Sequence, residues 1–83
     1  MRANRAYDLI HRRGGPMPTV LADPYRIDHL EIVEIDSGEV VLFWDLPADA
    51  ARRVVRQMRE DLANLEADQF IAAWREADTA NSR

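Results

Sequence analysis

The chain of 83 residues carries 11 basic side chains, all of them arginine, 15 acidic ones and no cysteine. This length allows one small domain with a thin core, and the missing cysteine excludes disulfides, thiolate metal sites and a cysteine nucleophile. No apolar run exceeds five residues, the length of the run at residues 40–44. This is far shorter than the roughly 20 residues that cross a bilayer, so we expect no membrane partner. No apolar segment follows the basic start, so a cytoplasmic location is the default expectation.

Charge divides the chain into three parts. Residues 1–16 hold four arginines and one aspartate, a net charge of +3, whereas residues 17–50 hold one arginine and eight acids, a net charge of −7. Residues 51–83 balance six arginines with six acids. Such asymmetry indicates that the basic segment docks on an acidic surface, either of its own chain or of a partner.

The basic N-terminal arm, residues 1–16, is predicted to be a short helix or disordered. The Gly-Gly-Pro sequence at residues 14–16 would end a helix, and ten residues of helix are marginally stable alone. A nucleic-acid-binding role of the arm is disfavoured, because the acidic remainder would repel phosphate. The apolar residues that suggest a helix fall at helical spacing: Ala3, Ala6, Tyr7 and Ile10.

The single domain, residues 17–78, is predicted to begin with a β-hairpin. Two segments rich in β-branched residues, about 25–36 and 39–45, flank a turn in which Gly38 supplies a positive φ. The alternation of the first strand is broken, which a bulge near Ile32 or a change of environment along the strand would explain.

The second strand of this hairpin has no polar residue between Glu39 and Asp45. Both of its faces therefore need cover, which a two-stranded hairpin does not supply. Either the helices cover one face and a partner chain the other, or the strand lies within an intermolecular sheet. Both alternatives predict self-association, as a homodimer or a larger assembly.

Two helices are predicted next, at about residues 47–65 and 68–78, followed by a flexible tail at 79–83. An apolar stripe runs along one face of each helix, and the second stripe is rotated about the helix axis by roughly 150° from the first. A break near residues 64–68, with Asp68 as a second N-cap, would explain the rotation, as would one continuous helix that buries its two halves against different chains. The first stripe is Ala51, Val54, Val55, Met58, Leu62 and Leu65, and the second is Ala67, Phe70, Ile71, Trp74 and Ala77.

Residues suited to catalysis or metal binding are sparse. His29 and Glu31 share one strand face, but two ligands are too few for a metal site, and no nucleophile or second base accompanies them. The serines and threonines lack a nucleophile-elbow pattern. We therefore expect a protein that is not an enzyme and has no catalytic residues, metal or cofactor.

The predicted binding residues are apolar anchors and a row of arginines. The anchors expected in an interface are Val41, Phe43, Trp44, Phe70 and Trp74. The arginines expected to make electrostatic contacts lie on one face of the first helix: Arg52, Arg56 and Arg59. The sequence thus predicts a small α+β protein, accessory or regulatory and non-catalytic, that self-associates and binds another protein.

The order strand, Leu-Pro, helix, turn, helix resembles that of ribbon-helix-helix regulators. The matching segments are residues 40–45, 46–49 and 68–71, so the resemblance covers about half of the chain. It implies an alternative function, that of a DNA-binding transcriptional regulator or antitoxin. The strand that this family uses to contact bases carries Glu39, Asp45 and apolar residues in this chain, instead of basic or amide side chains.

Overall fold

The computed structural model describes residues 1–14 and 26–81, with side chains up to residue 77. Three antiparallel strands form one sheet in the order β1-β2-β3, with helices beside it. The chain is therefore α+β, and the predicted order of a hairpin followed by two helices is confirmed. The elements are α1 (Ala3–Ala6), β1 (Tyr7–Arg12), β2 (Ile27–Glu34), β3 (Val40–Pro47), α2 (Ala48–Asn64) and α3 (Ala67–Asn81).

The hairpin of β2 and β3 forms around the predicted turn. Gly38 has a φ of 74°, and its backbone N–H donates to the Glu34 carbonyl oxygen at 2.8 Å. The register shifts between Ile32 and Val33, which confirms the predicted bulge. The predicted beginning of the first strand, residue 25, lies outside the described residues, as do residues 17–24 of the predicted domain.

The prediction for the N-terminal arm is wrong beyond its first turn. Within residues 1–14, only Ala3–Ala6 is helical, and Tyr7–Arg12 forms a strand that pairs with β2 along its whole length. This strand places Tyr7 and Leu9 against the core, a contact that a helix over the same residues would not make. Residues 15 and 16 of the predicted helix stop lie outside the described residues.

The predicted break between the last two helices is confirmed, and the N-terminal segment holds it. The backbone N–H of Ala3 donates to the Leu65 carbonyl oxygen at 2.9 Å, and that of Ala67 donates to the Met1 carbonyl oxygen at 2.9 Å. Asp68 is not the N-cap, because α3 already begins at Ala67. The backbone of α3 continues past the predicted end at 78 to residue 81, and residues 82–83 of the predicted tail lie outside the described residues.

The core lies between one face of the sheet and the two long helices. Since the chain bends between α2 and α3, both apolar stripes reach this core despite their rotation. No helix in the described part of the chain is long and apolar enough to cross a membrane. The buried core residues include Leu30, Ile32, Leu42 and Trp44 of the sheet, Val55, Met58 and Leu62 of α2, and Phe70 of α3.

Candidate binding surfaces

The sheet face that points away from the helices, which we call the open face, combines apolar and charged residues. Side chains alternate between the two faces of a strand, and Leu30 and Ile32 point into the core. Their neighbours in sequence therefore lie on the open face. In cross-strand rows, its residues are Asp8, Val33 and Val40; Ile10, Glu31 and Phe43; Arg12, His29 and Asp45; and Ile27 and Pro47.

The half of the open face nearest the β2–β3 turn, which we call its apolar half, holds mostly apolar residues beside Asp8. Phe43 and Val40 are each 48% exposed, and Ile10 and Val33 are half-buried. The Phe43 ring stacks on that of His29, with 6.0 Å between the ring centroids. An exposed aromatic ring among aliphatic side chains is typical of an interface anchor.

The charges of the other half of the open face are paired. Arg12 Nε donates to Glu31 Oε1 at 2.8 Å, and His29 Nδ1 contacts Asp45 Oδ1. His29 and Glu31 share a face as predicted, but each side chain has a different partner. In the described ranges, no group of three or more His, Asp or Glu side chains is placed to hold a metal ion.

The five predicted anchors differ in their burial and do not share one surface. Trp44 and Phe70 lie in the core of their own chain, 5% and 0% exposed, and Val41 packs against that core. Trp74 is half-buried, and its Nε1 donates to Asp61 Oδ2 at 3.0 Å. Phe43 is the anchor that lies on the open face with a large exposed fraction.

The strand that carries Phe43 is also an edge of the sheet. β3 pairs with β2 on one side and, among the described residues, with no strand on the other. An unpaired strand edge presents backbone donors and acceptors that another strand can bind. An apolar strip therefore lies beside a free sheet edge.

A second surface lies on the helix side of the sheet, between the end of β1 and α2. It is a groove of about 540 Å³ that adjoins a hollow of about 250 Å³, and we call the two together the arginine groove. The predicted arginines of α2 are brought together here with His11 of β1 and with the residues just after β1 and just before β2, which the sequence did not connect with them. The lining residues are His11, Arg13, Arg26, Arg52, Val55, Arg56, Arg59 and Glu60.

Asp28 lies beneath the arginine groove and is fully buried. Its carboxylate accepts a hydrogen bond from Arg26 Nε at 2.9 Å, lies 2.8 Å from His11 Nε2 and accepts one from the Gly14 backbone N–H at 3.2 Å. Burial alone would raise the pKa of Asp28, but the hydrogen bonds from His11, Arg26 and Gly14 outweigh burial and lower it. Asp28 is therefore an ionised anchor for two side chains of the groove.

The sequence reasoning missed Asp28, although a signal was present. Asp28 alternates with Leu30 and Ile32 and therefore belongs to the buried face of β2. An acid in phase with core residues requires partners, because a buried unpaired charge is strongly unfavourable.

Comparison of the chain with protein-family models, with curated proteins and with solved structures finds no match. The ribbon-helix-helix resemblance therefore rests on the order of β3, α2 and α3 alone.

Proposed function

We propose that this chain is a small non-catalytic interaction protein that self-associates through the edge of β3 and the apolar half of the open face. The observation that carries the proposal is Phe43, 48% exposed beside Val40 on an edge strand. A cytoplasmic location is part of the same proposal, and fractionation of cells expressing the chain tests it.

A second copy of the chain fits this surface because it offers a strand of the same length and the same apolar strip. Antiparallel pairing of the two β3 edges about a two-fold axis satisfies the free backbone groups of both strands. It also places both Phe43 side chains on one face, where cross-strand aromatic pairs contribute up to about 1 kcal/mol. The joined open faces then present a wider apolar strip to a different protein.

The test compares two variants that each introduce one glutamate. Phe43→Glu places a charge in the apolar strip, whereas Ala73→Glu places it on an exposed position of α3, in the other layer of the fold. Sedimentation of both proteins over a dilution series measures the dimer dissociation constant. We expect Phe43→Glu to raise this constant by about tenfold or more, which corresponds to about 1.4 kcal/mol, and Ala73→Glu to leave it nearly unchanged.

Equal dissociation constants for the wild type and Phe43→Glu would contradict the proposed interface. Far-ultraviolet circular dichroism of both variants checks that they remain folded. Because Phe43 is already half exposed in the single chain, its replacement should leave the fold intact.

A second candidate function is DNA binding, which the exposed arginine row of α2 and the order of β3, α2 and α3 favour. Arginine side chains supply the phosphate contacts of such regulators. β3, however, exposes Val40, Phe43 and Asp45 where that family exposes basic or amide side chains. A gel shift with genomic fragments at low salt tests this candidate: loss of a shift on combining Arg52→Ala with Arg56→Ala supports it, and no shift with any duplex removes it.

A further inference from the structure

Three arginines of α2 bring positive charge to the arginine groove, and no described acidic side chain pairs with them. None of Arg52, Arg56 and Arg59 forms an ion pair or side-chain hydrogen bond with another described residue. These side chains are spaced four and three residues apart on one helix, where like charges destabilise it. An anion bound between them would relieve this repulsion.

The surface is concave, and arginines from three separate parts of the chain face it. Arg13 directly after β1 and Arg26 directly before β2 line it together with Arg52 of α2. The volume of about 540 Å³ lies within the range of about 300–1,000 Å³ that is usual for small-molecule sites. A concave surface of this size favours a small ligand over duplex DNA, whose surface is convex.

Two side chains of the groove are held in place before any ligand binds. The buried carboxylate of Asp28 holds Arg26 and His11, whose side chains are only 18% and 20% exposed. A guanidinium fixed in this way loses little conformational freedom when it binds an anion, which favours affinity. The surrounding fold, rather than chance surface charge, therefore positions the basic side chains.

From these observations we propose that the arginine groove binds a small ligand that carries a phosphate group. Among the described residues, Arg26, Arg52, Arg56 and Arg59 face the carboxylates of Asp28 and Glu60, which leaves a formal charge of +2. One phosphate group carries a charge of about −1.5 to −2 at neutral pH and matches this surplus. The planar guanidinium also binds phosphate oxygens in a bidentate manner.

The experiment is a calorimetric titration of the full chain with inorganic pyrophosphate at low salt. Two variants are matched: Arg52→Gln combined with Arg56→Gln removes charges from the groove, and Arg53→Gln removes an exposed charge on the same helix that does not line it. We expect saturable binding by the wild type, weakened about tenfold or more by the double variant and less than about twofold by Arg53→Gln. Pyrophosphate should also raise the melting temperature of the wild type, because the ligand binds the folded state.

Three results would overturn the proposal. The first is the absence of both saturable binding and a melting shift, and the second is an equal loss of affinity in Arg53→Gln and in the double variant. The third result comes from parallel titrations with citrate and with a short DNA duplex. Citrate that binds as tightly as pyrophosphate would remove the preference for phosphate. A duplex that binds while pyrophosphate does not would favour the DNA-binding candidate. The groove lies apart from the open face. The failure of the ligand proposal would therefore leave the test of self-association unaffected, and the failure of self-association would leave this titration unaffected.

Discussion

At the scale of single residues, Asp28 connects the fold to the arginine groove. It lies in phase with the core residues of β2, yet it bears a charge, and its three donors come from β1, from the residues after β1 and from the residue before β2. It therefore joins the two ends of the connection between these strands. A carboxylate held in this way contributes to stability and, through Arg26 and His11, to the shape of the groove.

Asp28→Asn should destabilise the fold by about 2–4 kcal/mol, because it leaves Arg26 without its anionic partner and places an amide where three donors converge. Asp8→Asn is the control, since Asp8 is an exposed carboxylate of the neighbouring strand, and it should change stability by less than about 0.5 kcal/mol. Urea unfolding of both variants measures the difference. Equal stabilities would contradict the assigned role of Asp28.

The contribution of Asp28 should also depend on pH. Its pKa is lowered in the folded state, so its stabilisation is fully present above the ordinary pKa of an aspartate, about 4, and is lost as the pH falls through the lowered value. The stability difference between the wild type and Asp28→Asn should therefore be constant near neutral pH and shrink below about pH 4. Urea unfolding midpoints over an acidic pH series measure it, and a difference that grows towards acid pH would refute this assignment.

At the scale of elements, the β2–β3 hairpin depends on Gly38. A Cβ at Gly38 would meet no atom within 4 Å, so only its positive φ of 74° opposes a side chain. Gly38→Ala should therefore destabilise the fold by about 1 kcal/mol, and Gly38→Asn by less, because asparagine adopts this backbone region more readily. Chemical unfolding of both variants tests the order, and a fully stable Gly38→Ala would contradict it.

The hairpin, its bulge and the helix break could be predicted because their signals are local. The turn glycine, the interrupted alternation of β2 and the change of stripe phase near residue 65 are all visible within short windows of sequence. β1 was missed for the opposite reason. Residues 7–12 fit a strand or a helix when read alone, and the choice depends on pairing with β2, which lies more distant in sequence.

At the scale of the whole molecule, the net charge of −4 conceals two different surfaces. The arginine groove, on the helix side, collects positive charge from α2 and from both ends of the β1–β2 connection. The open face pairs Arg12 with Glu31 and His29 with Asp45, and it leaves Phe43 and Val40 exposed. The sequence indicated the arginine row and Phe43, but it did not show what would lie opposite the row, because that depends on the missed strand.

The structure shows which of the apolar faces noted in the sequence are covered within one chain. The helix break lets both stripes pack on one core, so Trp44 and Phe70 belong to the interior. The second strand has its expected two apolar faces, of which the helices cover one. The proposed interface is therefore confined to the open face and the edge of β3.

The mass of the wild-type chain in solution tests the central claim most directly. Sedimentation equilibrium over a range of protein concentrations should give a mass that rises towards twice the chain mass of 9.5 kDa as the concentration increases. A mass that stays at that of one chain up to about 100 μM would contradict self-association through β3. A dissociation constant above this concentration would be weak even for a small interface.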